Sequence, residues 1–88
     1  MRIVFADRGW EDFAYWVEHD RKIAARIVRL IKDIEREPFE GLGKPEPLRH
    51  DLTGFWSRRI TDEHRLVYAA DRERVLIAQA RYHYSELP

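Results

Sequence analysis

The sequence has no cysteine among its 88 residues. That excludes a disulfide framework, a thiolate metal site and a cysteine nucleophile. It also suits a reducing compartment, so a cytoplasmic location is expected. No apolar run approaches the ~18 residues needed to span a bilayer, so no membrane association is expected. The N-terminus, MRIVFADRGW, lacks the long apolar segment of a signal peptide. Net charge is missing as well. The 16 basic residues balance 16 acidic ones, which argues against a protein held on nucleic acid by bulk attraction. There is no internal repeat and no low-complexity tract. Glycine and proline are scarce, four of each, and two of each fall within Phe39–Pro47. What remains is a chain of one domain, residues 1–88, able to bury a modest core to which its three tryptophans add a large area each.

Arg2–Ala6 is a β-branched and aromatic run that predicts a first strand. Asp7 is placed to cap a helix over Arg8–His19, where Trp10, Phe13, Trp16 and Val17 make an apolar stripe. Asp20 is placed to cap a second helix, Arg21–Glu37, with Ile23, Ile27, Leu30, Ile31 and Ile34 on one face. The tight break between them predicts an αα-hairpin, and Pro38 ends the second helix. Phe39–Pro47 is a loop, and Leu48–His50 is a candidate short strand before a turn at Asp51–Gly54. Phe55–Ile60, His64–Ala70 and Val75–Tyr82 then read as strands, joined by turns at Thr61–Glu63 and Asp71–Arg74. The fold class is α+β: an N-terminal strand and an αα-hairpin packed on one face of a mostly antiparallel sheet of four to five strands.

Alternation assigns side chains to the face the helices leave open. In the last strand Leu76, Ala78, Ala80 and Tyr82 go to the helices, and Ile77, Gln79, Arg81 and His83 to the open face. In the strand before it Leu66 and Tyr68 go to the core, Arg65 and Val67 to the open face. Together these need an odd-length turn or a bulge near Asp71–Arg74. If Thr61–Glu63 is a three-residue turn, Arg59 faces Arg65 and Trp56 meets Tyr68. Arg58 then falls on the core face, where a salt bridge to a helix acid at the sheet edge is the expected partner. Pro45 and Pro47 stiffen the backbone around Glu46, in a loop able to fold over the open face.

Two facing arginines repel, and a phosphate between them removes that cost. A carboxylate, a histidine and arginines around a phosphate can cleave RNA without metal, cofactor or protein nucleophile, because RNA supplies its own 2′-OH. Glu46 would take that proton, His83 would protonate the leaving 5′-oxygen, and Arg65 would stabilise charge on the phosphorane oxygens. Ordinary roles compete: a solvated Glu46, an exposed polar His83, and an Arg65 paired with Asp62 or Glu63. His50 and His64 lack the carboxylate or cysteine pattern that a metal site would add. Between Lys44 and Arg81 the bases are mostly arginines, with histidines nearby, so a local basic cleft on a neutral body is compatible with the charge pattern.

The runs Gly43–Leu48 (GKPEPL), Phe55–Ile60 (FWSRRI), Glu63–Tyr68 (EHRLVY) and Arg81–Tyr84 (RYHY), with Pro38–Gly41 and the aromatic first helix, resemble the YoeB (Txe) family of bacterial toxins. These belong to the RelE/ParE superfamily, and the resemblance covers nearly the whole chain. It implies a RelE-like, microbial-ribonuclease-like fold. It implies a ribosome-dependent endoribonuclease that cuts mRNA in the A site of the 70S ribosome and stops translation. A cognate YefM-like antitoxin would neutralise it, and operator DNA would be met only through the toxin–antitoxin complex that represses the operon. Family members are often homodimers. The catalytic positions carry over to Glu46, Arg65 and His83, and supporting positions to Arg59 and Tyr84. Lys44, Arg49 and Arg81 are further candidate RNA or phosphate contacts. The family commonly has lysine where this chain has Arg49, and its chains tend to end near Tyr84, whereas this one continues through Ser85–Pro88. Related ParE toxins use the scaffold against DNA gyrase, so a non-catalytic binding module is the competing reading. A degenerate toxin kept for operon repression is a third.

Overall fold

In the computed structural model, which describes residues 1–83, helix α2 (Arg21–Arg36) follows the sequence pattern most closely. The Asp20 carboxylate accepts from the backbone N–H groups of Lys22 and Ile23, satisfying donors that a helix start leaves orphaned. Ile27, Leu30 and Ile34 are fully buried, with Ala24 and Ile31 beside them. Helix α1 (Asp7–His19) starts one residue earlier than predicted. Its N-cap is Ala6, which offers no side-chain cap; Asp7 lies in the first turn, where its charge suits the helix dipole. The predicted stripe is only partly inside. Gly9, Asp12 and Trp16 are buried, whereas Trp10 is 56% and Val17 41% exposed. The reason is Gly9: α1 crosses the sheet so closely that a Cβ there would collide with the Ile77 carbonyl, so the contact line runs along the glycine edge of the helix.

The sheet has the order β1-β5-β4-β3-β2. β1 (Arg2–Phe5) runs parallel to β5 (Arg74–Gln79). β4 (Arg65–Ala70) lies antiparallel between β5 and β3 (Trp56–Arg59), and β2 (Glu46–Pro47) closes the far edge. The core joins Ile27, Leu30 and Ile34 of α2 and Trp16 of α1 to Leu66, Tyr68, Val75 and Ile77 of the sheet. This is an α+β fold with two helices packed on a mixed five-stranded sheet.

Four sequence expectations about the strands need correction. The edge strand is Glu46–Pro47 rather than Leu48–His50, and His50–Leu52 forms a 3₁₀ turn instead; Pro47 is tolerated because β2 is an edge strand. β5 stops at Gln79 rather than Tyr82. Its first half also has the opposite parity: Val75 and Ile77 are fully buried in the core, and Leu76 and Ala78 are half-buried on the other side. No bulge is needed at the Asp71–Arg74 turn, since Ala70 pairs directly with Val75. The bulge lies farther along. Tyr68 pairs with Ile77 and Val67 with Gln79, which leaves Ala78 as the extra residue. Beyond it the parity shifts, and Ala80 returns to the core.

Candidate active site

Register brings three of the predicted residues to one face. Glu46 pairs with Ser57, Ser57 with Val67, and Val67 with Gln79. Arg59 pairs with Arg65. Side chains two residues apart on a strand share a face, and so do directly paired ones. Glu46, Arg59 and Arg65 therefore sit together on the side away from the helices, while Arg58 and Leu66 point into the core. Arg59 is one two-residue step from Ser57, about 7 Å along the strand. Glu46 and Arg59 are exposed, and Arg65 is half-buried.

The Arg65 guanidinium is held at the β3–β4 turn. Its Nη1 donates to the carbonyl oxygens of Thr61 at 2.8 Å, Asp62 at 3.0 Å and His64 at 3.2 Å. Backbone carbonyls, rather than the carboxylates of Asp62 or Glu63, fix it in place. The Arg59–Arg65 facing pair leaves two guanidiniums on adjacent strands, an arrangement that an interposed phosphate oxyanion would relieve.

Glu46 is delivered by a pinned loop. Arg58 is fully buried, and all five of its N–H donors have acceptors. Nε donates to the Tyr68 hydroxyl at 3.1 Å, Nη1 to Asp33 Oδ2 at 2.6 Å and Leu42 O at 3.1 Å, and Nη2 to Glu37 O at 2.7 Å and Glu40 O at 3.0 Å. The expected salt bridge to a helix acid is thus present, with Asp33 of α2. The three loop carbonyls were not anticipated: they tie the chain after α2 down onto β3. The Leu42 N–H and the guanidiniums of Arg58 and Arg36 hold the Asp33 carboxyl down at about 2. Burial pushes the Tyr68 hydroxyl up, and it donates to Pro38 O at 2.6 Å. Gly43 continues the anchoring. Its φ is +79°, and a Cβ there would meet Arg59 O, Leu30 and Arg58 at 3.0–3.1 Å.

An open pocket of about 460 Å³ is lined by Glu46, Pro47, Leu48, Arg49 and His50. Leu48 N–H donates to Phe55 O at 2.9 Å, and the His50 carbonyl accepts from Thr53 N–H and Oγ1–H at 3.1 and 2.7 Å. These bonds fold Arg49 and His50 back beside the carboxylate. Lys44, His50 and Tyr82 have φ values of 52°, 57° and 67°. Such backbone is uncommon for residues other than glycine, and all three flank candidate site residues.

His83 is half-buried and follows β5 by a short turn. The Tyr82 carbonyl accepts from Arg65 N–H at 3.0 Å, which brings His83 out beside Arg65. Arg81 does not join the open face. Its guanidinium lies 3.5 Å from the Tyr15 ring centroid, against α1. Tyr84 lies outside the described residues. Sequence reading missed the side chains that hold the chain end. Asp12 accepts from Ala80 N–H at 3.0 Å, Trp16 Nε1 donates to Ala80 O at 2.8 Å, and the buried Gln79 Nε2 donates to the carbonyls of Arg81 and Tyr82 at 2.6 and 3.2 Å. The contacts to Ala80 join residues more than sixty positions apart, so no local pattern signals them. Asp12, next to Phe13 and one turn before Trp16, was the one hint the sequence offered.

A family model described as YoeB-like toxin of bacterial type II toxin–antitoxin system matches residues 5–84. Toxin YoeB of Streptomyces coelicolor is 61% identical over 84 residues, covering 96% of this chain and all of that protein. Among solved structures, the YoeB dimer from Staphylococcus aureus has a TM-score of 0.90 at 45% identity, covering 96% of this chain and 98% of that one. A YoeB–YefM complex from Staphylococcus aureus has a TM-score of 0.88 at 44% identity, with the same coverage. With motifs, fold and full-length relatives in agreement, the chain belongs to the YoeB family of toxins of bacterial type II toxin–antitoxin systems.

Proposed function

We propose that this toxin is a metal-independent endoribonuclease that cuts mRNA in the A site of the 70S ribosome and so inhibits translation. The observation that carries the reading is the sharing of one sheet face by Glu46, Arg59 and Arg65, with His83 led out beside Arg65. Glu46 takes the proton of the RNA 2′-OH. The freed oxygen attacks the adjacent phosphorus, and the bond to the 5′-oxygen breaks as His83 gives that oxygen a proton. The products are a 2′,3′-cyclic phosphate and a 5′-hydroxyl. Arg65, with Arg59 facing it, stabilises the charge that builds on the phosphorane oxygens. Base and acid each contribute on the order of 10²–10⁴ in rate. Lys44, Arg49 and Tyr84 contact the RNA backbone.

The single domain, residues 1–88, acts in the cytoplasm. A YefM-like antitoxin neutralises it and carries it to operator DNA for autorepression, and the toxin pairs as a homodimer. The solved YoeB–YefM complex and YoeB dimer of the relatives support these partnerships. Balanced charge, 16 basic against 16 acidic residues, suits an enzyme that spares bulk RNA and acts only where the ribosome presents a strand. Primer extension on mRNA in a reconstituted translation mixture tests this. Wild type should give discrete A-site cuts. Cleavage of naked RNA as fast as ribosomal mRNA would overturn the ribosome dependence.

A further inference from the structure

Past Gln79 the chain leaves the sheet, and side chains take over from the ladder. Asp12 and Trp16 hold Ala80, and Gln79 holds the carbonyls of Arg81 and Tyr82. Tyr82 is the last residue before His83, and it stands at φ 67°. A tyrosine keeps that conformation only where its surroundings hold it. Both of its backbone polar groups are held from the start of β4. Its carbonyl accepts from Arg65 N–H, and its N–H donates to His64 Nδ1 at 2.8 Å.

We propose that His64 is a positioning residue that aims His83 at the phosphate through the Tyr82 backbone. This rests on the reading of His83 as the acid given above. An amide N–H can only donate, so Nδ1 of His64 is the acceptor and its proton resides on Nε2. The ring is fixed edge-on to Trp16, with centroids 4.9 Å apart and planes at 72°. An imidazolium has no acceptor, so a proton on Nδ1 removes the bond to Tyr82. The two roles therefore need different forms of the ring: His83 must carry a proton to give, and His64 must keep Nδ1 free of one. The charged groups on the elements around His64 are otherwise engaged or exposed. Asp12 of α1 pairs with Arg8, Arg81 lies over Tyr15, and Arg65 is tied to the turn carbonyls. Asp62 and Glu63 of its own hairpin are exposed.

The test compares His64→Asn, His64→Gln and His64→Leu in the ribosomal cleavage assay, with His83→Ala as control. Asparagine places an acceptor where Nδ1 stands; glutamine places it farther out, and leucine has none. His64→Asn should stay within about threefold of wild type, and His64→Leu and His64→Gln should lose kcat by about tenfold with KM unchanged. Full activity in His64→Leu, or no rescue by asparagine, would overturn the proposal. An inactive wild type defeats the nuclease reading instead. In that case ¹⁵N NMR of the wild-type ring decides: the Nε2–H tautomer with a slowly exchanging Tyr82 amide is expected, and an Nδ1–H tautomer overturns it.

Discussion

Replacing Asp33 with asparagine removes the carboxylate that pairs with Arg58 at 2.6 Å. The guanidinium is fully buried and cannot turn to water for compensation. Deleting one partner of a buried ion pair costs about 3–5 kcal/mol. Two features place this case lower. The Asp33 side chain keeps 13% of its surface in water. Arg58 also retains its bonds to Tyr68 and to the carbonyls of Glu37, Glu40 and Leu42. A loss of about 2–3 kcal/mol follows. A chain of this size has about 4–13 kcal/mol in all, so that is a large share. Each kcal/mol moves Tm by about 4–8 °C in domains this small, so Tm should fall by about 8–24 °C. Urea and thermal unfolding at one fixed protein concentration measure both quantities. Arg58→Met gives the second arm of a double-mutant cycle. The loop carbonyls that Arg58→Met leaves without a donor are the same in the single and the double variant and cancel in the cycle, so the double should be less destabilised than the sum by about 1–3 kcal/mol, the coupling of the Asp33–Arg58 pair. An Asp33→Asn protein within about 0.5 kcal/mol of wild type, or strictly additive singles, would refute the reasoning.

The same carboxylate sets an acid limit. Its folded value, about 2, lies below the ordinary 3.8. Its contribution is therefore complete above 3.8 and is lost as pH falls toward about 2; the gap between wild type and Asp33→Asn in urea titrations should close across that window. Gly9→Ala should destabilise by about 2 kcal/mol or more, because the new methyl meets the Ile77 carbonyl rather than a side chain that could swing away, and equilibrium unfolding reads it directly. Arg65→Ala should lower kcat for ribosomal mRNA cleavage by about 10²–10³ while unfolding stays cooperative; a variant as fast as wild type removes Arg65 from the chemistry.

The helices, the hairpin order and the Arg59–Arg65 pairing were legible because each rests on local signals. Asp20 and Pro38 punctuate α2, and a three-residue turn sets the register of β3 against β4. β5 was not legible in the same way. The polar residues Gln79, Arg81 and His83 set the phase read for the whole strand, but Val75 and Ile77 are as apolar as Leu76 and Ala78, and nothing local shows that the phase changes at the bulge, whose place at Ala78 depends on tertiary packing. The exposed Trp10 was misplaced because hydrophobicity does not reveal that a glycine edge, Gly9, makes the closest approach. Arg58 was expected at a carboxylate, but its loop carbonyls could not be read from residues whose spacing says nothing of where the loop returns. Candidate site residues on the strands were placed by register alone. Those after β5 depend on Asp12, Trp16, His64 and Gln79, which act across the fold.

The central claim is that Glu46 and His83 act as base and acid on mRNA held in the ribosome. The most direct measurement is single-turnover cleavage of ribosome-bound mRNA by wild type, Glu46→Ala and His83→Ala at saturating toxin. Each variant should bind the ribosome as wild type does and cut on the order of 10²–10⁴ more slowly. Cleavage by either variant at the wild-type rate would contradict the claim.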